Sequence, residues 1–465
     1  MTSNANLTPY QPTWESLDKR PLPAWFNEAK FGIFIHWGVY SVPAWRPLGG
    51  ERYASYAEWY YASVIGDTEL GGDAFHKGRY GADFEYRDFA PLFSAELFDA
   101  DYWADLFCRS GAGYVVLTSK HHDGYCLWPS KSPYKKNWNS LDIGPGRDLL
   151  GELTTAVRDK GLKMGLYYSI IEWESNWTHR DPSGYYVDKA LVDKYRIPED
   201  EYVEKHLLPQ LRELVETYQP ALIFSDGGEW DGGEDYWQTK QFLAWLYNEA
   251  PNRDEVVVND RWAKDMPGKH GDYFCSEYQD SDAAGADHPW EESRGVGGSY
   301  GYNRAENIDD YSTSRELVHE LIDVVGRGGN FLLNVGPTAD GRIPVVMQDR
   351  LRDIGVWLAV NGEAIYGTRQ WRRADVDGGA NEPRVYYTAK GDDLYAICTQ
   401  WPVRDLVIKG CGAGQGVQVE MLGLERPVSW QVDGGRLTIA PPVISPAEVP
   451  CQHAYCFKIS NGLVR

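Results

Sequence analysis

Short apolar runs alternate with amphipathic stretches between about residues 20 and 365. This order predicts a parallel sheet with helices packed outside it. Seven runs have the length and composition of strands: 31–38, 113–124, 163–170, 221–228, 255–261, 271–278 and 329–337. Residues 149–162 and 201–218 carry apolar side chains at spacings of three and four, which predicts covering helices. The pattern therefore predicts an α/β fold with a (β/α)8-like, TIM-type barrel.

The predicted strands start with apolar residues and end in polar or aromatic ones. The run FGIFIHWG carries His36 near its end, and ALIFSDGG carries Asp226. In such barrels the carboxyl ends of the strands face the active site. We therefore expect a catalytic face at this end of the barrel.

After about residue 370 the chain changes to short alternating strands separated by Gly, Pro and Asp turns. This pattern is typical of an antiparallel β-sandwich. We predict two domains, a catalytic barrel over residues 1–368 and a C-terminal β-sandwich over residues 369–465.

The charge of the chain limits its partners. The sequence has 46 basic and 68 acidic residues, and its net charge of -22 repels nucleic-acid phosphates and anionic membranes. We therefore predict neither a nucleic-acid nor a membrane partner. The sequence gives no prediction of oligomeric state.

The seven cysteines are scattered and form no C-x-x-C pair, which argues against a disulfide framework or a zinc cluster. The first residues, MTSNANLTPYQPTW, lack a basic start and an apolar run, so they do not predict a signal peptide. A cytoplasmic location is the expectation, with secretion or a periplasmic location as the alternative if a signal has been removed.

Two carboxylates stand at the ends of predicted strands. Asp226 ends ALIFSDGG, and Glu277 ends GDYFCSEY. Glycoside hydrolysis needs two such groups, one to attack or stabilise the anomeric carbon and one to protonate the leaving oxygen. By position alone, Asp226 could instead cap a helix or pair with an arginine. Other carboxyl groups in the same stretch of chain compete with Glu277: Glu229, Asp231, Glu291 and Glu292.

Three histidines follow strands: His36, His121 and His122. Adjacent strand residues point to opposite faces, so His121 and His122 are poorly placed to bind one metal ion. A neutral imidazole can both donate and accept, which suits sugar hydroxyls, although a histidine satisfied in the core is the alternative. Arg261 suits either a sugar or a structural carboxylate. The sequence thus predicts no metal site.

Taken together, these segments resemble the α-L-fucosidases of glycoside hydrolase family 29. The resemblance covers most of the chain and rests on WFNEAKFGIFIHWG, EWY at 58–60, TSKHHDGYCLWPS, NWNSLDIGPGRDLLGEL, GLYYSIIEW, FSDGGEW, NDRW, HPWEES, SYGYN and GGNFLLNVGPTADG. It implies a barrel followed by a β-sandwich, no cofactor, and hydrolysis of terminal α-L-fucose from oligosaccharides or glycoconjugates. It also implies retention of configuration through a covalent fucosyl-enzyme.

The resemblance also assigns roles to residues. It implies that Asp226 is the nucleophile and that the fucose-binding side chains are His36, Glu58, Trp59, His121, His122, Tyr167 and Arg261, with Tyr300 and Trp290 forming a wall against the C-5 methyl group. The sequence departs from the common pattern at Phe224 and at Tyr300, where tryptophan is usual, but both keep an aromatic face.

The acid/base differs between subgroups of the family. The segment CSEY around Glu277 resembles the T-P-E-Y version, whereas Glu291 in HPWEES matches another recurring acid. We favour Glu277 and keep Glu291 as the alternative. A retaining enzyme is expected to hold its two carboxyl groups about 5 to 5.5 Å apart.

Two other functions fit the same residues: a catalytically silent fucose-binding protein, and a glycosidase for a related sugar such as α-L-galactose. The linkage cleaved is not predicted, because contacts to the aglycone are expected from the loops around residues 45–85 and 279–298.

Overall fold

The computed structural model describes residues 9–49, 56–65, 69–175, 180–181, 184–185, 189–278, 288–375, 384–411 and 416–463. Within these residues the larger sheet has eight strands: β1 (Phe31–Ile35), β2 (Tyr114–Lys120), β3 (Lys163–Ser169), β4 (Leu222–Asp226), β5 (Val257–Val258), β6 (Phe274–Glu277), β7 (Trp290–Gly295) and β8 (Asn330–Val335). Their order is β5-β4-β3-β2-β1-β8-β7-β6, and every neighbouring pair is parallel. The predicted TIM-like barrel is confirmed.

The barrel strands are buried on both faces, as parallel strands covered by helices usually are. In β1, Phe34 packs inside the barrel, whereas Ile33 and Ile35 pack against the outer layer. This alternation follows from the opposite directions of successive strand side chains. It explains why β1 reads as a continuous apolar run in the sequence.

Strands β5 and β6 are joined by side chains rather than by a regular ladder. Asp272 accepts a hydrogen bond from the Val258 amide (2.9 Å) and donates its own amide to the Val258 carbonyl (3.0 Å). The Asp260 carboxylate accepts from the amide of Cys275 (2.9 Å). These hydrogen bonds use backbone amides and a carbonyl that would otherwise pair β5 with β6 in a regular ladder. As a result β5 is only two residues long, whereas the sequence pattern predicts a strand over 255–261.

The sequence pattern does not predict β7, because its six residues WEESRG include two glutamates and an arginine. In the fold Arg294 and Glu292 are paired, and Glu291 accepts a hydrogen bond from the Tyr114 phenol. Arg294 contacts Glu292 at 2.8 Å, and Glu320 from the following helix also pairs with Arg294. Paired charges are tolerated in a buried strand, where unpaired ones are not.

The principal helices are α1 (Gly72–Tyr80), α2 (Ala100–Arg109), α3 (Leu149–Asp159), α4 (Leu208–Tyr218), α5 (Thr239–Asn248), α6 (Ser314–Gly326) and α7 (Val345–Asn361). Shorter helices cover Trp14–Leu17, Ala24–Ala29, Tyr60–Ser63, Lys189–Tyr195, Glu199–Glu201 and Glu234–Trp237, and Arg180–Asp181 pairs with Gly184–Tyr185 in a two-stranded ribbon. No helix lies between β5 and β6 in residues 259–273, all of which are described. Among the helices of the described residues, none is long and apolar enough to cross a membrane.

The predicted helix over 201–218 has two parts. A π-helical segment, Tyr202–Leu207, precedes α4, and the amide of Leu208 bonds to the carbonyl of Val203. Pro209 has no N–H with which to continue a regular α-helix at this point. The wider turn is consistent with that missing donor.

The C-terminal part forms two antiparallel sheets with a shared apolar core. One sheet has the order β9-β10-β11-β16-β13, from Arg369–Asp375, Val385–Lys390, Asp393–Cys398, Tyr455–Ser460 and Gln418–Met421; the other has the order β12-β15-β14, from Leu406–Lys409, Arg436–Ile439 and Trp430–Asp433. The predicted β-sandwich is confirmed.

The Tyr386 phenol donates to Asp323 of α6 (2.8 Å), and the Trp357 indole of α7 donates to the Ala454 carbonyl (2.9 Å), which joins sandwich and barrel. The domain boundary at 368/369 stays a prediction.

Candidate active site

A cavity of about 690 Å³ lies at the carboxyl ends of the barrel strands. Ten of the eleven side chains predicted from the sequence line it: His36, Glu58, Trp59, His121, His122, Tyr167, Asp226, Arg261, Glu277 and Tyr300. Most of them lie at or near the carboxyl ends of strands, which a parallel barrel brings to one side, whereas Glu58, Trp59 and Tyr300 come from connecting segments.

Asp226, the last residue of β4, is held by three side chains. The Tyr167 phenol donates to its Oδ2 (2.7 Å), and Nε2 of His122 lies 3.4 Å from the same oxygen. Nη1 of Arg261 donates to its Oδ1 (3.3 Å). The carboxylate therefore has a fixed direction before substrate arrives.

These contacts also set the charge of Asp226. Burial alone would raise its pKa, but the contacts with His122, the charge of Arg261 and the hydrogen bond from Tyr167 outweigh burial. Together they hold the pKa of this carboxyl well below its usual range. Asp226 is therefore ionised at neutral pH, as a nucleophile must be.

Glu277, the last residue of β6, faces Asp226 across Arg261. The Tyr56 phenol donates to its Oε1 (2.9 Å), and Nη1 and Nη2 of Arg261 each lie 3.3 Å from its Oε2. Because Nη1 is 3.3 Å from both Asp226 Oδ1 and Glu277 Oε2, these oxygens are no farther apart than twice that distance. That limit is compatible with the carboxyl spacing of retaining glycosidases, about 5 to 5.5 Å.

The alternative acid, Glu291, lies deeper in the barrel. In the β6–β7 register, Glu277 is opposite Ser293, whereas Glu291 is opposite Cys275, two residues nearer the amino end. The Tyr114 phenol donates to Glu291, and burial raises the pKa of this carboxyl to about 8. Glu291 is absent from the described residues that line the cavity.

His36 and His121 are buried, and burial keeps both neutral. Burial lowers the pKa of His36 to about 4, although its Nδ1 bonds to Oδ1 of Asn334 (2.7 Å), and burial lowers the pKa of His121 well below its usual value. Nδ1 of His121 is buried and has no hydrogen-bond partner in the described part of the chain. A neutral ring with an unused nitrogen suits a sugar hydroxyl. Within the described residues, no group of three or more His, Cys, Asp or Glu is arranged to hold a metal ion.

Glu58 and Trp59 occupy a short helical turn above the barrel. Glu58 accepts from the Gly301 amide (2.7 Å) and from the Ser299 hydroxyl (3.2 Å). Burial raises its pKa to about 7 despite these donors. The Trp59 ring lies 5.6 Å from the His122 ring and 5.6 Å from the Trp230 ring, which forms an aromatic surface at one side of the cavity.

The apolar wall differs from the sequence prediction. Tyr300 lines the cavity, and the Phe34 and Phe224 rings complete the wall, with centroids 5.1 Å apart. Trp290 does not line the cavity among the described residues, and this prediction is corrected. Trp290 is the first residue of β7, at the end of the strand opposite the site, and a Cβ at Gly329 would meet its indole at 2.6 Å.

Several cavity residues are not predicted by the strand-end pattern. Tyr56, Arg46 and Ser63 belong to the long segment between β1 and β2, and Glu229 and Trp230 follow the two glycines after Asp226. The pair EW after SDGG is the signal that could have suggested the last two. Parts of the predicted aglycone loops, residues 50–55, 66–68 and 279–287, lie outside the described residues.

This combination of fold and site defines a class of enzyme. The carboxyl ends of a parallel barrel hold two carboxylates on one guanidinium, beside buried histidines and an aromatic wall. Such a site binds an uncharged, hydroxyl-rich ring and places one carboxylate on each side of a bond. These are the features of a retaining glycoside hydrolase.

Comparison with known proteins identifies the family. Residues 1–363 match the sequence profile described as alpha-L-fucosidase, and residues 379–460 match that of the alpha-L-fucosidase C-terminal domain. The tissue alpha-L-fucosidase of Homo sapiens is 41% identical over 456 residues, which cover 97% of this chain and 92% of the human protein. The plasma alpha-L-fucosidase of Rattus norvegicus is 43% identical over 461 residues, covering 97% and 94%.

A crystal structure supports the same assignment. The Thermotoga maritima alpha-fucosidase in complex with fucose superimposes with a TM-score of 0.81 and 37% identity, covering 97% of this chain and 100% of that one. The chain belongs to the alpha-L-fucosidase family.

Proposed function

We propose that this protein is a retaining exo-α-L-fucosidase in which Asp226 is the nucleophile and Glu277 is the acid/base. The observation that carries the assignment of roles is the shared guanidinium of Arg261, which contacts both carboxylates at 3.3 Å. Because Arg261 contacts one oxygen of Asp226 and one oxygen of Glu277, it fixes the distance between the two carboxylates. The other oxygen of each carboxylate does not contact Arg261.

In the first step, an oxygen of Asp226 attacks the anomeric carbon. The glycosidic bond breaks, its electron pair stays on the leaving oxygen, and protonated Glu277 transfers its proton to that oxygen. The product is a fucosyl ester of Asp226 with inverted configuration. The Tyr56 phenol, 2.9 Å from Glu277 Oε1, orients the acid for this transfer.

In the second step, Glu277 acts as a base. It takes a proton from water as the water oxygen bonds to the anomeric carbon, and the ester bond breaks with its electron pair returning to Asp226. Hydrogen bonds from Tyr167 and the charge of Arg261 stabilise the carboxylate that leaves. Two inversions give net retention.

The cavity also supports selectivity for terminal fucose. His36, His121 and Glu58 offer buried polar atoms for hydroxyl groups, while Phe34, Phe224 and Tyr300 accept the C-5 methyl group. A sugar that lacks a matching hydroxyl leaves buried polar atoms unpaired, which costs more than a lost apolar contact.

A panel of nitrophenyl glycosides tests this function. We expect rapid release of nitrophenol from the α-L-fucoside and little from the β-D-galactoside or α-L-rhamnoside. Equal rates on all three would contradict the proposed specificity. A fourth substrate, the α-L-galactoside, tests the related-sugar alternative, because it adds one hydroxyl where the aromatic wall is expected to hold the methyl group.

The silent-binding alternative is not favoured, because both carboxylates are in the cavity and the relatives named above are fucosidases. The natural substrate is proposed to be a fucosylated oligosaccharide or glycoconjugate. A cytoplasmic location stays a prediction, and the seven cysteines, all unpaired in the fold, are consistent with a reducing compartment.

A further inference from the structure

The amide side chain of Asn334 is buried next to the active-site cavity. Asn334 lies near the carboxyl end of β8, within the motif GGNFLLNVGP, and is fully buried. Successive strand side chains alternate in direction, so Asn334 points into the barrel interior like Leu332. An amide among apolar side chains is costly unless its polar atoms are paired. Both partners of this amide, His36 and Tyr300, belong to the residues that line the cavity.

The hydrogen bonds of Asn334 have a fixed direction. Its Nδ2 lies 2.6 Å from the carbonyl oxygen of Tyr300, which can only accept. The nitrogen of the amide is therefore on this side, and the oxygen faces His36. Oδ1 lies 2.7 Å from Nδ1 of His36 and can also only accept, so Nδ1 must carry a hydrogen. The backbone of Tyr300 thus determines, through Asn334, which nitrogen of His36 is protonated.

The second ring nitrogen of His36 is left for a ligand. The hydrogen bond to Asn334 is the only one that this ring makes within the described part of the chain, and the residue lines the cavity. Burial lowers the pKa of His36 to about 4, outweighing the hydrogen bond to Asn334 and the charge of Asp226. Nearby His122 acts in the same direction as burial. A neutral ring with its hydrogen on Nδ1 has a lone pair on Nε2, which can only accept.

Asn334 also holds the residue that packs against His36. The Tyr300 ring lies 4.8 Å from the His36 ring, and the two planes are tilted by 37°. Tyr300 is fixed at two points, because its carbonyl accepts from Asn334 and its phenol donates to the Ser293 carbonyl (3.0 Å). One buried amide therefore joins a polar ring of the cavity to a ring of its apolar wall. The orientation of His36 depends on this amide and not on the substrate.

We propose that Asn334 is a positioning residue that fixes the tautomer of His36, so that Nε2 accepts a hydrogen bond from a hydroxyl group of the bound fucosyl unit. This inference rests on the proposed function. The sugar must present a hydroxyl group to Nε2, because a group without a hydrogen cannot donate to a lone pair. Asn334 itself is not among the described residues that line the cavity. Its effect on activity therefore passes through His36 and Tyr300.

The tautomer is measured in the whole protein by ¹⁵N NMR of the histidine rings, with His36→Gln used to assign the signals. In the wild type at neutral pH we expect a protonated Nδ1 and an unprotonated Nε2 for His36. Saturating L-fucose should then move the Nε2 resonance upfield, as a hydrogen bond to a ring lone pair does. The opposite tautomer, a doubly protonated ring, or an Nε2 resonance that fucose leaves unchanged would overturn the inference.

Two variants on β8 separate positioning from folding. Asn334→Leu removes both hydrogen bonds of the amide, so we expect kcat/KM for 4-nitrophenyl α-L-fucoside to fall by roughly 10- to 100-fold and an Nε2-protonated His36 to appear in the spectrum. Asn330→Leu is the matched control. Asn330 is a buried asparagine on the same strand and face, and its amide donates to the Phe26 carbonyl (2.6 Å) at the amino end of the strand. This variant should keep near-wild-type kcat/KM and the wild-type tautomer of His36.

Equal losses of kcat/KM in the two variants, or an unchanged His36 tautomer in Asn334→Leu, would overturn the positioning role. If Asn334→Leu does not fold, the wild-type spectra with and without fucose still decide between the outcomes above. A wild-type protein that shows the expected tautomer but does not hydrolyse the fucoside would overturn the proposed function, while supporting the effect of Asn334 on His36.

Discussion

The Tyr167 phenol donates a 2.7 Å hydrogen bond to Oδ2 of Asp226, across neighbouring strands of the barrel. We expect Tyr167→Phe to lower kcat/KM by about tenfold, because the hydrogen bond stabilises the carboxylate when it leaves the sugar. The same donor lowers the pKa of Asp226, so the acidic limb of the pH profile should move to higher pH in the variant. An acidic limb at the wild-type pH would show that the hydrogen bond does not act on the nucleophile.

The two candidate acids can be separated by paired substitutions. Glu277→Gln is expected to lower activity on poor leaving groups by about 100-fold or more, since these need a proton, and less on activated aryl fucosides. Azide should react with its fucosyl-enzyme and give the α-azide. Glu291→Gln should keep near-wild-type activity, because Glu291 lies one strand layer below the site. The α-azide formed by Glu291→Gln rather than by Glu277→Gln would reverse the assignment.

Glu291 also predicts how stability depends on pH. Its folded-state pKa of about 8 lies above the unfolded value, so its contribution is fully present below about pH 4.3 and is lost as pH rises through 8. Glu291→Gln removes this group. We expect the free energy of unfolding of the variant, relative to wild type, to be about 4 kcal/mol higher at pH 8.5 than at pH 5. Denaturant titrations at the two pH values measure this, and a constant difference would contradict it.

A buried cluster of charged side chains around Glu172 lies behind the histidines. We expect a substitution that breaks this cluster to lower the stability of the protein strongly. The Glu172 carboxylate contacts Lys120 (2.7 Å), His206 (2.8 Å) and Lys135, all of them buried. Glu172→Gln leaves two buried lysines without their counter-charge, so we expect a loss of about 3 to 5 kcal/mol in urea unfolding.

The control for Glu172 is an ion pair nearer the solvent. Glu255 pairs with Lys163, and both side chains are 40% exposed, so Glu255→Gln should cost less than about 1 kcal/mol. Equal losses in the two variants would mean that burial does not decide the strength of these ion pairs.

Strand-end residues could be predicted from the sequence because each follows directly after an apolar run. Asp226 and Arg261 belong to this group, and the barrel brings them together whatever the loops do. Tyr56 could not be predicted, since it reaches Glu277 from a segment 221 residues earlier in the chain. Such a contact depends on a loop path that periodicity does not encode.

Two further differences between the sequence prediction and the structure are explained by the position of residues along strands β6 and β7. The family resemblance implied that Trp290 forms part of the cavity wall, but this residue stands at the amino end of β7. Glu291 competed with Glu277 on motif alone, and only the pairing of Glu277 with Ser293 separates their depths. Register between β6 and β7 depends on packing across the sheet, which the local sequence does not specify.

The central claim is that Asp226 is the nucleophile of a retaining fucosidase. The most direct measurement is hydrolysis of 4-nitrophenyl α-L-fucoside by wild type and by Asp226→Gly, with and without azide, with the product configuration read by NMR. We predict a loss above about 1000-fold in the variant, recovery with azide, and β-fucosyl azide as the product. A variant with near-wild-type activity, or wild-type hydrolysis that releases β-L-fucose first, would contradict the account.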